Sequence, residues 1–285
     1  MSEPTRGEPA PSPRRSWTDL GPRLASAAVL IAATVTAVYF GGYVFAALVG
    51  AAFAGCYREW DQMVTLKPLT LIGGLLVFLV ALAALLYPLL GPLAVLVVMV
   101  VACLTALVVG GEGAPWRAAG LVFFGAVIVA ALAIRGTGTD GIFACVLLGT
   151  VVWLTDTGAY FTGRLLGGEK LAPDISPSKT WSGALGGLAL GTLAGLLLWL
   201  VFVPASPLWI GLLLALSLSI AGQLGDLTES AVKRRFRIKD SGDIIPGHGG
   251  LMDRLDSVTF PAFLVVLVGG LHTGWGDVAG GLIHW

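Results

Sequence analysis

The 285-residue chain carries 17 basic and 17 acidic side chains, so its formal net charge is zero and no global field draws in nucleic acid. Only 12% of its residues are charged and 56% are hydrophobic, where a soluble domain averages about 25% charged. With a mean hydropathy of +0.88, this composition excludes a soluble globular protein. Repeated uncharged runs, each near the roughly 20 residues of a transmembrane helix, predict an all-α, polytopic integral membrane bundle. The alternating segments of a transmembrane β-barrel are not visible.

Residues 1–22, rich in Pro, Ser, Glu and Arg, read as a disordered cytoplasmic tail. Arg14-Arg15-Ser16-Trp17 has the look of a twin-arginine export signal. The apolar run behind it, however, continues uncharged from Leu24 to Tyr57, far past a signal-peptide core. Between Arg23 and Arg58 two helices fit, broken at Phe40-Gly41-Gly42-Tyr43. Two more fit between Lys67 and Glu112, split between Tyr87-Pro88 and Gly91-Pro92. Single spans are expected at about 117–134 and 140–161, two between Lys179 and Asp226 broken at Pro204 to Pro207, and a last from about Ser257 to Gly274. The expectation is about nine spans. Residues 23–134 form an N-terminal set of transmembrane helices, and 135–285 a C-terminal catalytic region with polar loops at 162–180 and 226–256.

Lys and Arg collect on the cytoplasmic side of membrane proteins. With a cytoplasmic N-terminus, the tail taken with Arg23 at its border and segments 57–68, 111–117, 162–180 and 226–256 hold sixteen of the seventeen cations, and only Arg135 falls outside. The reading is a multi-pass protein of the cytoplasmic membrane with both large loops facing the cytosol. Cys56, Cys103 and Cys145 show no paired or metal-type spacing and read as small core residues. Gly183, Gly187, Gly191 and Gly195 recur every fourth residue, lining one helix face for close backbone approach, either to a neighbouring helix or to a second copy in a homodimer.

The unusual polar residues sit in the two large loops. Asp156 lies inside an apolar span, where a carboxylate costs about 2.5–3.5 kcal/mol on insertion scales. It therefore needs a partner, a bound cation or a salt bridge to Arg164 or Lys179. On a helix, Asp226, then Glu229 or Ser230, then Lys233 share one face. Lys233, Arg234 and Lys239 flank the carboxylates and suit phosphates, whereas Arg235 and Arg237 suit membrane anchoring. Gly242 to Gly250, with Pro246, cannot be regular helix and offers backbone amides to an anion. A helix expected to start near Leu251 puts Asp253 and Asp256 on one face of its first turns. There they can cap it or share a hard cation, for which magnesium takes oxygen ligands at about 2.0–2.1 Å. His248 could serve as base, ligand or phosphate donor, and its spacing does not choose. Gly136 to Gly141 spells GxGxxG without the strand or βαβ unit that would make it a nucleotide site, and no GxxxxGK[ST] occurs.

The segment Ser230-x-Val232-Lys233-Arg234-x4-Lys239-Asp240-x-Gly242-x2-Ile245-Pro246-x-His248-Gly249-Gly250-Leu251-x-Asp253-Arg254-Leu255-Asp256 resembles the full signature of phosphatidate cytidylyltransferases, the CDP-diacylglycerol synthases. Asp156 to Arg164 and Ser176-Pro-Ser-Lys179-Thr180 resemble the same family. The resemblance implies transfer of CMP from CTP to phosphatidic acid, with pyrophosphate released and magnesium required. It points to Asp226 and Asp253 as metal ligands, in a centre of one or two cations, with Asp256 as a third ligand or an orienting group. Lys239 joins these three as a catalytic group. Asp156, Arg164, Lys179, Lys233, Arg234, His248, Gly249, Gly250 and Arg254 are assigned to substrate, with His248 as a donor. The partners implied are CTP, phosphatidic acid in the bilayer and membrane lipid. Rival readings are a polyprenol kinase-like enzyme that uses the γ-phosphate of CTP, and a cation-coupled transporter.

Overall fold

A computed structural model describes residues 20–242, 244 and 249–285. Most of the expected tail, residues 1–19, and His248 lie outside the described residues. The described chain is a helical bundle: α1 (Leu20–Phe40), α2 (Gly42–Thr65), α3 (Leu71–Leu90), α4 (Pro92–Val109), α5 (Ala114–Arg135), α6 (Thr139–Leu166), α7 (Trp181–Phe202), α8 (Leu208–Arg235), α9 (Met252–Thr273) and short α10 (Val278–Ile283). An antiparallel hairpin, β1 (Lys170–Ala172) and β2 (Ser176–Thr180), stands between α6 and α7.

Seven of these helices, α3 to α9, are long and apolar enough to cross a membrane, so the chain is a multi-pass helical membrane protein. The apolar part of α1, Ser26–Phe40, is shorter. In α2, Arg58, Glu59 and Asp61 interrupt the oil. The first two breaks fall at glycines with left-handed backbone, Gly41 (φ 63°) and Gly91 (φ 70°), a conformation that a Cβ disfavours. Thr70 and Thr180 begin α3 and α7 by accepting from the amides of Gly73 and Gly183, satisfying donors that a helix start leaves orphaned.

Several segments read as loops are helix. α2 continues through 57–65 and α6 runs to Leu166, while α8 runs to Arg235 and carries the helical face expected for Asp226, Glu229 and Lys233. Consequently Asp61 and Arg117, expected in two separate cytoplasmic connections, form a buried ion pair at 2.7 Å. The lone far-side cation also has a structural explanation. Arg135 is buried and donates to the carbonyls of Val38, Tyr39, Gly136 and Gly138, tying the end of α1 to the α5–α6 turn.

The glycine stripe serves packing within one chain. A Cβ on Gly187 would lie 2.5 Å from the Thr155 carbonyl, and one on Gly191 would strike Thr155 Oγ1, so α7 rides directly on α6. This leaves that face no room for a second copy. Two apolar cores result, one among α2 to α5 and one among α5 to α10. They hold the ends of α2, α6 and α8 beside the starts of α5, α7 and α9.

Candidate active site

At that end of the bundle, three helices bring carboxylates to one cavity. Asp156 of α6, Asp226 of α8, and Asp253 and Asp256 of α9 all line it, together with Lys233, Asp240, Gly249 and Arg254. Its volume is about 430 Å³. A second cavity of about 500 Å³ shares Asp156 and Asp226 and is otherwise bounded by the hairpin and the end of α6, including Arg164, Lys179 and Tyr160. Both lie within the ~300–1,000 Å³ typical of small-molecule sites. Asp156 and Asp226 thus form a partition with a basic chamber on the hairpin side.

Lysines neutralise two of the carboxylates. Lys179, carried on β2, meets Asp226 at 2.5 Å. Lys233 bridges Glu229, one turn earlier on its own helix, at 2.5 Å and Asp253 at 2.6 Å. Asp253 is further fixed by the backbone amides of Ser241 (3.0 Å) and Gly250 (3.3 Å). It therefore ties the loop ahead of α9 to that helix's first turn while facing the cavity. Asp156 accepts from the Ser257 hydroxyl at 3.1 Å, and Asp256 accepts from the Ser257 amide at 2.7 Å. The salt bridge to Arg164 or Lys179, one of the alternatives for Asp156, is not formed. Among the described residues neither Asp156 nor Asp256 has an ion-pair partner.

The remaining residues divide. Arg164 donates to the Tyr160 hydroxyl at 3.0 Å and lines the hairpin chamber. Arg234 donates to the carbonyls of Ile175 (3.1 Å) and Ile238 (2.9 Å), tethering the hairpin to the end of α8. Lys239 is exposed, beside the cavity-lining Asp240. Gly250 is buried against Ser241, Asp253 and Glu59. A third, apolar cavity of about 230 Å³, walled by Phe53, Trp60, Phe123 and Phe124, reaches Glu229 and Asp256 from the other side.

Residues absent from the sequence reading complete the site. Ser257 joins Asp156 to Asp256. Glu59 of α2, fully buried, accepts hydrogen bonds from the amides of Leu251 and Met252 and from the Ser241 hydroxyl. The one sequence signal for Glu59 was a carboxylate at the end of an apolar run, and there it read as a connector residue.

The fold and site define a multi-pass membrane protein with a cavity walled by carboxylates and ammonium groups at one end of its bundle. The chain belongs to the cytidylyltransferase family, whose model matches residues 22–271. It is similar to the phosphatidate cytidylyltransferase of Brucella suis biovar 1, with 40% identity over 259 residues, 89% of this chain and 94% of the relative. It is also 49% identical over 135 residues to that of Staphylococcus haemolyticus, covering 46% of this chain and 52% of that relative.

Proposed function

We propose that the chain transfers the CMP part of CTP to phosphatidic acid, giving CDP-diacylglycerol and pyrophosphate. The observation that carries this is the cavity itself. Four carboxylates from α6, α8 and α9 face one space, with Lys233 lining it and paired to Asp253, Lys179 paired to Asp226 from the adjoining chamber, and an apolar cavity that shares Asp256. An amphiphilic substrate needs both environments, and a nucleoside triphosphate needs cationic neutralisation. The family and the names of the relatives support the same chemistry.

In the reaction, an oxygen of the lipid phosphate bonds to the α-phosphorus of CTP while the bond from that phosphorus to the β-bridging oxygen breaks. The attacking oxygen is already anionic, so positioning and charge neutralisation matter more than a strong base. Lys179 and Lys233 are placed to exchange a carboxylate for a phosphate oxygen. Arg164 lines the hairpin-side chamber and Arg254 the carboxylate cavity, and each adds positive charge there. The apolar wall at Phe53 and Phe123 excludes water beside Asp256.

The donor set is all oxygen, the preference of a hard divalent cation. No three described His, Cys, Asp or Glu side chains already stand together as a ligand cluster. Among the described residues Asp156 and Asp256 nonetheless have no ion-pair partner, and two ammonium groups already sit against Asp226 and Asp253. The residues therefore fit magnesium, held by Asp226, Asp253 and Asp256. When bound, it would supply neutralisation of phosphate charge and a better pyrophosphate leaving group. We place this site on the cytoplasmic face of the cell membrane, where CTP and a bilayer lipid meet. The test is purified protein in phosphatidic acid-containing micelles with CTP and magnesium. CDP-lipid should form and should stop on chelation; no CDP-lipid from folded protein would refute the proposal.

A further inference from the structure

We infer that Glu59 is a positioning residue that holds the start of α9, and with it Asp253, in working geometry. The inference rests on the function proposed above. The N-cap of α9, Leu251, makes no side-chain cap of its own. Glu59 supplies it from a helix 192 residues away in sequence: Oε1 accepts from the Leu251 amide at 2.8 Å, and Oε2 from the Met252 amide at 2.8 Å. Oε2 also accepts from the Ser241 hydroxyl at 2.9 Å. The Ser241 amide in turn donates to Asp253 Oδ2. One carboxylate therefore grips both ends of the glycine-rich loop, and Asp253 hangs between them.

The surrounding sequence is shaped to this grip. A Cβ on Gly242 would lie 2.8 Å from Glu59 Oε1, and one on Gly250 would lie 2.9 Å from Glu59 Oε2. One turn before Glu59, Gly55 clears space for Leu251, where a Cβ would meet the leucine side chain at 2.6 Å. A fully buried carboxylate is costly unless its lone pairs are used, and among the described residues these are used by donors at the two ends of this loop, Ser241, Leu251 and Met252. The negative charge also faces a helix N-terminus, where it is favoured. The N-terminal half of the chain thus enters the chemistry through this side chain.

The test uses full-length protein bearing Glu59→Gln, which keeps the shape but turns an N–H donor toward backbone N–H groups. Three readouts are taken: kcat and KM for CTP and for phosphatidic acid, amide hydrogen exchange by peptide, and melting temperature. The expected result is a fall in kcat of roughly 10- to 100-fold, with KM for CTP within threefold. Exchange should rise in the peptides covering 240–255 while α3–α4 and α7 keep their protection. Ser241→Ala, which removes a single contact, should show the same pattern more weakly. Glu59→Asp should recover part of kcat. Unchanged kcat, or an activity loss matched by exchange rising throughout the bundle, overturns the inference. If the wild-type protein makes no CDP-lipid, the proposed function fails, and the exchange pattern alone still decides whether Glu59 holds this loop.

Discussion

Replacing Asp253 with Asn separates charge from shape at the centre of the site. The carboxylate meets Lys233 at 2.6 Å and accepts two backbone amides. Breaking a buried ion pair typically costs about 3–5 kcal/mol because a charge is stranded. Here Lys233 keeps Glu229 at 2.5 Å, and the Lys233 and Asp253 side chains retain 11% and 17% exposure, so the stability cost falls to about 1–3 kcal/mol. The protein should insert and elute as the wild type does. Activity should suffer far more. Losing one preorganised electrostatic contact in a reacting site costs ~10²–10³-fold in kcat, and Asp253 doubles as a proposed metal ligand. The assay is transfer of radiolabelled CMP to phosphatidic acid, alongside a thermal melt in the same detergent. Turnover within threefold of wild type, with the fold intact, would remove Asp253 from the chemistry.

Three further outcomes are expected. Gly187→Ala should destabilise the bundle by about 1–3 kcal/mol in a melting assay, because its Cβ meets the Thr155 backbone at 2.5 Å, whereas Gly149→Ala, with nothing within 4 Å, should be neutral or better. Lys179→Met should lower kcat/KM for CTP about 10- to 100-fold with little change in melting temperature, since its ion pair is 24% and 30% exposed; unaltered kcat/KM would exclude it from phosphate binding. Lys239→Cys should react with an impermeant maleimide in inside-out vesicles and not in intact cells; labelling of intact cells would reverse the proposed orientation.

Much of this architecture was legible because membrane helices announce themselves through local composition. Uncharged runs gave the helices, and Gly41 and Gly91 gave two breaks. The four-residue glycine period gave a close-packing face on α7, but not that α6 is the element it meets. Asp156, Asp226, Asp253 and Asp256 stood out because carboxylates are rare in oil, and the family resemblance takes in all four. The contacts that organise these residues were not legible, because they are long-range. Glu59 and Met252 are separated by 193 residues, and nothing local to Glu59 says which amides it will meet. Arg117 and Arg135 counted only as loop charges in the sequence reading, yet Arg117 pairs with Asp61 of a distant helix and Arg135 spends its donors on backbone carbonyls, including those of Val38 and Tyr39. The Lys179–Asp226 and Lys233–Asp253 pairs likewise depend on where the hairpin and α9 come to rest.

The central claim concerns which phosphorus of CTP is attacked at this cavity. Purified protein given phosphatidic acid and CTP labelled at either the α- or the γ-phosphate answers it directly. The α-label should appear in lipid and the γ-label in released pyrophosphate, with Asp226→Asn and Asp253→Asn abolishing both. γ-Label in the lipid, or α-label transfer that survives both substitutions, would contradict the account.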